Sequence, residues 1–194
     1  MVIDTGPLLC FGHVSGGVRL LLSRYHGRLR WTEAVAKEVK AHASIRVRSD
    51  IDRQRRDAAS RWVGPSAAGL GAPHEFKERP PVEAIRALVQ SASKKPPGGK
   101  GDLGESETLL LAQREQGYAL INENAARRVA PRLRVTAHCT LDVLIAEFKD
   151  GRLAPRKLQQ MYEQLRAADL DPGEYLPHPY RVRNLESWPS AGPA

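Results

Sequence analysis

"GESETLLLAQREQGYALINENAARRVAPRLRVTAHCTLDVLIAEFKDGRL", residues 104–153, decides the fold. Leu109 and Ala112 follow Glu105 at four and seven residues, the spacing of one helix face, so a helix is expected from Glu105 to Gln116. Tyr118 to Ile121 then reads as a strand, Asn124 to Ala130 as a short helix, Leu133 to Val135 as a strand, and Thr140 to Lys149 as a helix. Such alternation is the signature of a parallel sheet flanked by helices.

Upstream, "MVIDTGPLLC" offers the same junction at residues 1–10: Val2 and Ile3 suit a short buried strand, and Gly6 and Pro7 let a helix begin with Leu8, Leu9 and Phe11. "GVRLLLSRYHG" continues with helical periodicity, and "RLRW" reads as a strand leading to Thr32, an expected N-cap. "TEAVAKEVKAHA" is a helix with Val35 and Val39 on one face and Glu38 beside Val39. "SIRVRSDIDRQRRDAASRW" is densely charged and expected to be helical; Arg46, Arg48, Arg53, Arg55, Arg56 and Arg61 read first as a solvated face, with RNA contact as the alternative. "VGPSAAGLGAPHEFKERPP" is a loop, and "PVEAIRALVQSAS" a helix with an apolar stripe of Val82, Ile85, Leu88 and Val89. "KKPPGGKGDLG" is a second loop. It lacks the first Gly of a phosphate-binding loop, and Gly101 follows Lys100 where Ser or Thr should stand, so nucleotide binding of that kind is rejected. The chain divides into residues 1–153 and a C-terminal part, 154–194, made of one amphipathic helix beginning near Ala154 and a Pro-rich tail expected to be extended or disordered. Tyr175, Tyr180, Arg181, Arg183 and Trp188 interleave aromatic and basic groups in that tail, a pattern that can stack on bases or on a partner.

Composition narrows the partners. A chain of 194 residues with 41% hydrophobic content can bury one real core, which excludes fibrous and membrane classes. No apolar stretch approaches the roughly 20 residues of a spanning helix. Asp4 interrupts the N-terminal apolar run and no Lys or Arg precedes it, so no signal peptide is expected. Cys10 and Cys139, both in apolar contexts, suit core residues in a reducing compartment, and the cytoplasm is the default. A net charge of +8 attracts polyanions, nucleic acid first among them.

The acids at element ends carry the chemistry. Asp4 and Glu123 each follow a strand at its carboxyl end, where ligand crevices form in parallel sheets. Glu105 opens a helix with a buried stripe, and Glu38 lies on a second helix. Each acid alone is as readily a cap or surface residue; gathered together they repel one another unless a cation or protons intervene. All-oxygen ligands suit Mg²⁺ or Mn²⁺, which can activate water and neutralise charge on a phosphate. An acidic cluster on a basic chain therefore points to phosphodiester hydrolysis. Glu107 competes with Glu105, but helical geometry turns it about 200° away at about 100° per residue, which favours Glu105. Thr5 could hold a ligating carboxylate or a metal-bound water through its hydroxyl, or simply cap the helix.

"VIDTGPLL", "TEAVAKEV", "LGESETLLLA", "ALINENAARR" and "VTAHCTLDVLIAEFKDGRL", in that order over residues 1 to 153, resemble the PIN-domain family, in particular the VapC-type ribonucleases of toxin and antitoxin pairs. The resemblance implies a three-layer α/β/α PIN-like fold with a central parallel sheet, Mg²⁺ or Mn²⁺ as cofactor, and cleavage of RNA. By motif position it implies that Asp4, Glu38 and Glu105 are metal-binding and catalytic. Where family members usually carry Asp-Asp, or Thr or Asn then Asp, before "AAR", this chain has Asn122, Glu123 and Asn124. The fourth position therefore lies between Glu123 and Asn122. Arg127 and Arg128, on the short helix that follows, are the expected RNA-binding residues. An antitoxin partner and a homodimer are further implications. Two other readings are weighed: a catalytically impaired PIN scaffold that binds RNA or protein, and a phosphate-transfer fold with an aspartate nucleophile. The latter places a second Asp two residues after the first, where this chain has Gly6.

Overall fold

The computed structural model describes residues 1–64, 69–93 and 102–170. Three parallel strands, β1 (Val2–Ile3), β2 (Tyr118–Leu120) and β3 (Thr136–His138), form a sheet in the order β1, β2, β3. Val2 pairs with Ala119 and Ile3 with Leu120, while Leu120 pairs with His138. The helices, in chain order, are α1 (Thr5–His13), α2 (Gly17–Arg24), α3 (Glu33–Ala43), α4 (Asp50–Ser60), α5 (Pro80–Ala92), α6 (Leu103–Arg114), α7 (Asn124–Val129), α8 (Thr140–Lys149) and α9 (Pro155–Ala167).

Strand alternation divides the interior into two cores. Ile3 and Leu120 face one side and pack with α1, α3, α4, α8 and α9 through Leu8, Phe11, Val35, Trp62, Leu144 and Leu158. Val2, Ala119 and Ile121 face the other and pack with α5, α6 and α7 through Val82, Val89, Leu109 and Val129. Each large apolar side chain so buried contributes about 1.5–3 kcal/mol. The result is the three-layer α/β/α architecture expected from the sequence. Gly12 lets α1 and α4 approach closely, because a Cβ there would strike the backbone carbonyl of Ala58; Trp62, just past α4, locks the crossing by donating its indole N–H to the Leu8 carbonyl at 2.6 Å.

Several boundaries differ from the sequence reading. "RLRW" does not make a strand: only Arg30 bridges to Val2, because Gly27 turns the chain at φ +65° and Thr32 already caps α3 by accepting from the Val35 N–H. The strand expected at Leu133 to Val135 is displaced to β3. Ala130–Leu133 is instead a 3₁₀ turn, and Arg134 at φ +56° ends it before the chain can extend. α1 starts at Thr5, ahead of Leu8, since Asp4 supplies its cap. The charged segment becomes helical only at Asp50, where Ser49 caps α4. α9 packs through Leu158, Met161 and Leu165 into the core shared with α1 and α8. Residues 94–101 of the second loop and the tail from 171 to 194, with Tyr175, Tyr180, Arg181, Arg183 and Trp188, lie outside the described residues. Among the described residues no helix is long and apolar enough to cross a membrane.

Candidate active site

All three strands end on the same edge of the sheet, and the side chains just past those ends meet there. Asp4 follows β1, Asn122 and Glu123 follow β2, and Thr140 follows β3. Asp4 both caps α1 and turns an oxygen toward the crevice. Its Oδ2 accepts from the Gly6 N–H at 3.4 Å, as an N-cap should, while its Oδ1 is buried with no hydrogen-bond partner among the described residues.

Two helices bring further acids to it. Glu38, on α3, accepts a hydrogen bond from the Thr5 hydroxyl at 2.6 Å and another from the Gly104 N–H. Gly104, in the first turn of α6, is the floor between the acids. A Cβ there would sit 3.0 Å from both Glu38 carboxylate oxygens and 3.2 Å from Asp4 Oδ1. Glu105, the next residue, lies close enough for its charge to act on Asp4.

These carboxyls carry the electrostatic mark of crowding. Burial, followed by the charges of Glu105 and Glu38, pushes the Asp4 carboxyl well above the usual range. Burial also raises Glu38. Glu105 is pushed up to about 7, first by burial and then by the charges of Glu38, Asp102 and Glu123, against a hydrogen bond from its own backbone. Among the described residues no group of three or more His, Cys, Asp and Glu side chains closes tightly round one point where an ion would sit. The acids are nevertheless a donor set for a hard cation. Asp4 Oδ1 is an unmet acceptor facing them, and the missing Cβ of Gly104 leaves room beside it.

The other candidates fall into place around this core. Glu107 is buried on α6, away from Asp4; one oxygen accepts from the Ala34 N–H at 3.2 Å and the other pairs with Arg79 at 3.3 Å. Asn122 is buried, and its Oδ1 accepts from the Thr140 N–H at 2.9 Å and from the Thr140 hydroxyl at 3.0 Å. Its amide nitrogen donates to Cys10 Sγ at 3.3 Å, so the side chain ties α1 to the ends of β2 and β3. Glu123 stands at the N-cap position of α7 and acts on Glu105 through charge. Arg128 donates to the Ala92 carbonyl at 2.6 Å, closing the end of α5, and Arg127 lies on the β3 side, where its charge bears on His138 and Cys139. Cys10 and Cys139 are buried thiols outside any disulfide, and burial pushes Cys139 up to about 12.

Sequence reasoning missed Gly104, Asp102 and Arg79. Gly104 had a signal in being small and directly before Glu105; the other two had none, since their placement depends on how α3, α5 and α6 pack.

Comparison with curated proteins and with solved structures gives no match. A family model, DUF3368, described as a PIN domain, matches residues 83–174, from α5 through α9 and so across Glu105, Asn122 and Glu123. Over those residues the chain is similar to a PIN domain, and the parallel strands of its PIN-like α/β/α fold end in an acidic crevice.

Proposed function

We propose that this protein is a metal-dependent endoribonuclease in which Asp4, Glu38 and Glu105 hold Mg²⁺ or Mn²⁺ and Glu123 completes the pocket or positions water. One observation carries the reading: among the described residues Asp4 Oδ1 is buried and unsatisfied, while the charges that act on it most are those of Glu105 and Glu38. Burying like charges without a counter-ion opposes folding, and a divalent cation removes the penalty. Once bound, such an ion supplies Lewis-acid polarisation of a phosphate oxygen and a more acidic water. The chain's own residues do the rest. The Thr5 hydroxyl and the Gly104 N–H fix the Glu38 carboxylate, Gly104 keeps space between the acids, and the basic surface draws RNA to the crevice.

The resemblance of the sequence extends the proposal: the protein acts as a toxin in the cytoplasm, as a homodimer, and an antitoxin protein covers the acidic crevice. The test is cleavage of a labelled RNA pool by the purified protein with Mn²⁺, with Mg²⁺ or with chelator. Cutting that needs the ion supports hydrolysis, and a pool left intact under all three conditions sinks it.

A second reading, a PIN scaffold impaired in catalysis, is favoured by Asn122. Its carbonyl oxygen is committed to Thr140, and the pocket gains no charge from it. Tight RNA binding without turnover in Mn²⁺ would select that reading.

A further inference from the structure

We infer that Arg79 is an RNA-phosphate contact on the rim of the acidic crevice, held in place by the buried carboxylate of Glu107. The inference rests on the ribonuclease reading and adds a basic group to its acidic crevice. Three carboxylates around one divalent ion leave net negative charge, which repels a phosphodiester unless a basic group stands next to it. Arg128 is committed to the Ala92 carbonyl at the end of α5, and the charge of Arg127 bears on His138 and Cys139 on the β3 side.

Two helices position Arg79. Gly104 and Glu107 are three residues apart on α6, and Ala34 and Glu38 four apart on α3, so each pair shares a helix face. Gly104 meets Glu38 while Glu107 meets the Ala34 N–H, making two rungs between the helices. One helical turn, about 5.4 Å, separates the rungs. Glu107 is close enough for its charge to act on Glu38. Its second oxygen takes the Arg79 guanidinium at 3.3 Å, so that guanidinium is tied to the rung next to the one that meets Glu38.

Exposure then separates the partners: the Glu107 side chain is 4% exposed and that of Arg79 is 55% exposed. One N–H group of the guanidinium is spent on Glu107, and the fork keeps further donors facing solvent, the arrangement that suits a phosphate oxygen. The mount is rigid. Arg79 directly precedes Pro80 and Pro81, which open α5, and its side chain makes no cap to that helix. Glu107 is therefore a positioning residue, acting on RNA only through Arg79.

The experiment measures binding of a fluorescein-labelled single-stranded RNA to the full chain in chelator, across a series of salt concentrations, for wild type, Arg79→Ala and Arg79→Lys. Loss of one phosphate contact lowers the slope of log affinity against log salt by about 0.7 for a single strand. Arg79→Ala is expected to show that drop with about 5- to 10-fold weaker binding, and Arg79→Lys, which keeps a point charge, to restore the slope. A merely structural ion pair would change melting temperature and leave the slope alone. If Arg79→Ala keeps the wild-type slope while the wild type cuts RNA in Mn²⁺, the inference falls and the nuclease reading stands. If the wild type neither binds nor cuts RNA, both fall together.

Discussion

Asp4 and Glu147 are both buried carboxylates, 3% and 5% exposed, at opposite ends of one sheet. Glu147, in α8 near the amino ends of the strands, lines a cavity of about 520 Å³ with Met1 and Tyr118 and is paired with Arg24 and with Arg152 at 2.8 Å. Burial pushes its carboxyl up, but hydrogen bonds from Arg152 and Arg24 outweigh that and hold it below the usual range. Asp4 receives the opposite treatment: burial is reinforced by the charges of Glu105 and Glu38. A buried acid supplied with cations ties α2 to the end of α8. A buried acid surrounded by acids is a liability to folding, which on the proposed reading is relieved by a bound cation.

Exchanging charge for amide at each end should break this contrast most sharply. Glu105→Gln is expected to lower RNA cleavage at least about 100-fold, about 2.7 kcal/mol in barrier at 1.36 kcal/mol per decade, with the melting temperature unchanged or higher. Single-turnover kinetics and calorimetry on the same preparation read both. Glu147→Gln should do the reverse, costing about 1–3 kcal/mol in urea unfolding because Arg24 loses its buried partner and keeps only the exposed Asp150, while cleavage per folded molecule is retained.

Next in size is a pH effect of opposite sign at the two ends. Glu105 has a folded value raised to about 7 from 4.5, so its share of stability is present below 4.5 and lost as pH rises toward 7. Glu147 has a lowered folded value, so its share is present above 4.5 and lost as pH falls below it. Metal-free protein should thus lose stability between about pH 4.5 and 7, and Mn²⁺ should recover it by binding the native state. Urea unfolding across that range, with and without Mn²⁺, tests the sign; a loss equally large in Glu105→Gln would assign it elsewhere.

Smaller again, Gly104→Ala places a methyl 3.0 Å from the Glu38 oxygens, so Mn²⁺ affinity measured by titration calorimetry should fall about tenfold with no loss of helix. Arg128→Ala should show the least. One hydrogen bond to the Ala92 carbonyl is lost, about 1 kcal/mol of stability, and the salt dependence of RNA binding should not move.

Much of this architecture is legible in the amino-acid sequence. The alternation after Gly104 points to the parallel sheet, and the strand-end positions of Asp4 and Glu123 point to its functional edge, because both follow from periodicity within single elements. The end of the 3₁₀ turn is not legible, since a left-handed Arg134 has no sequence mark that Gly would have left. The Glu147 network is invisible for another reason: Arg24 and Glu147 are 123 residues apart, and only the packing of α2 beside α8 joins them. Asn122 shows how a residue type can suggest the wrong employment of its atoms. Its oxygen could serve an ion, yet hydrogen bonds to Thr140 commit it to holding two strand ends together.

The most direct measurement is Mn²⁺-dependent cleavage of a labelled RNA by wild type and Asp4→Asn, with each protein's Mn²⁺ affinity and unfolding midpoint taken alongside. The expected result is ion-dependent cutting by the wild type, and for Asp4→Asn lost cutting, weakened Mn²⁺ binding and equal or greater stability. An Asp4→Asn protein that cuts RNA and binds Mn²⁺ like the wild type would contradict the claim that Asp4 is buried among acids in order to hold the ion.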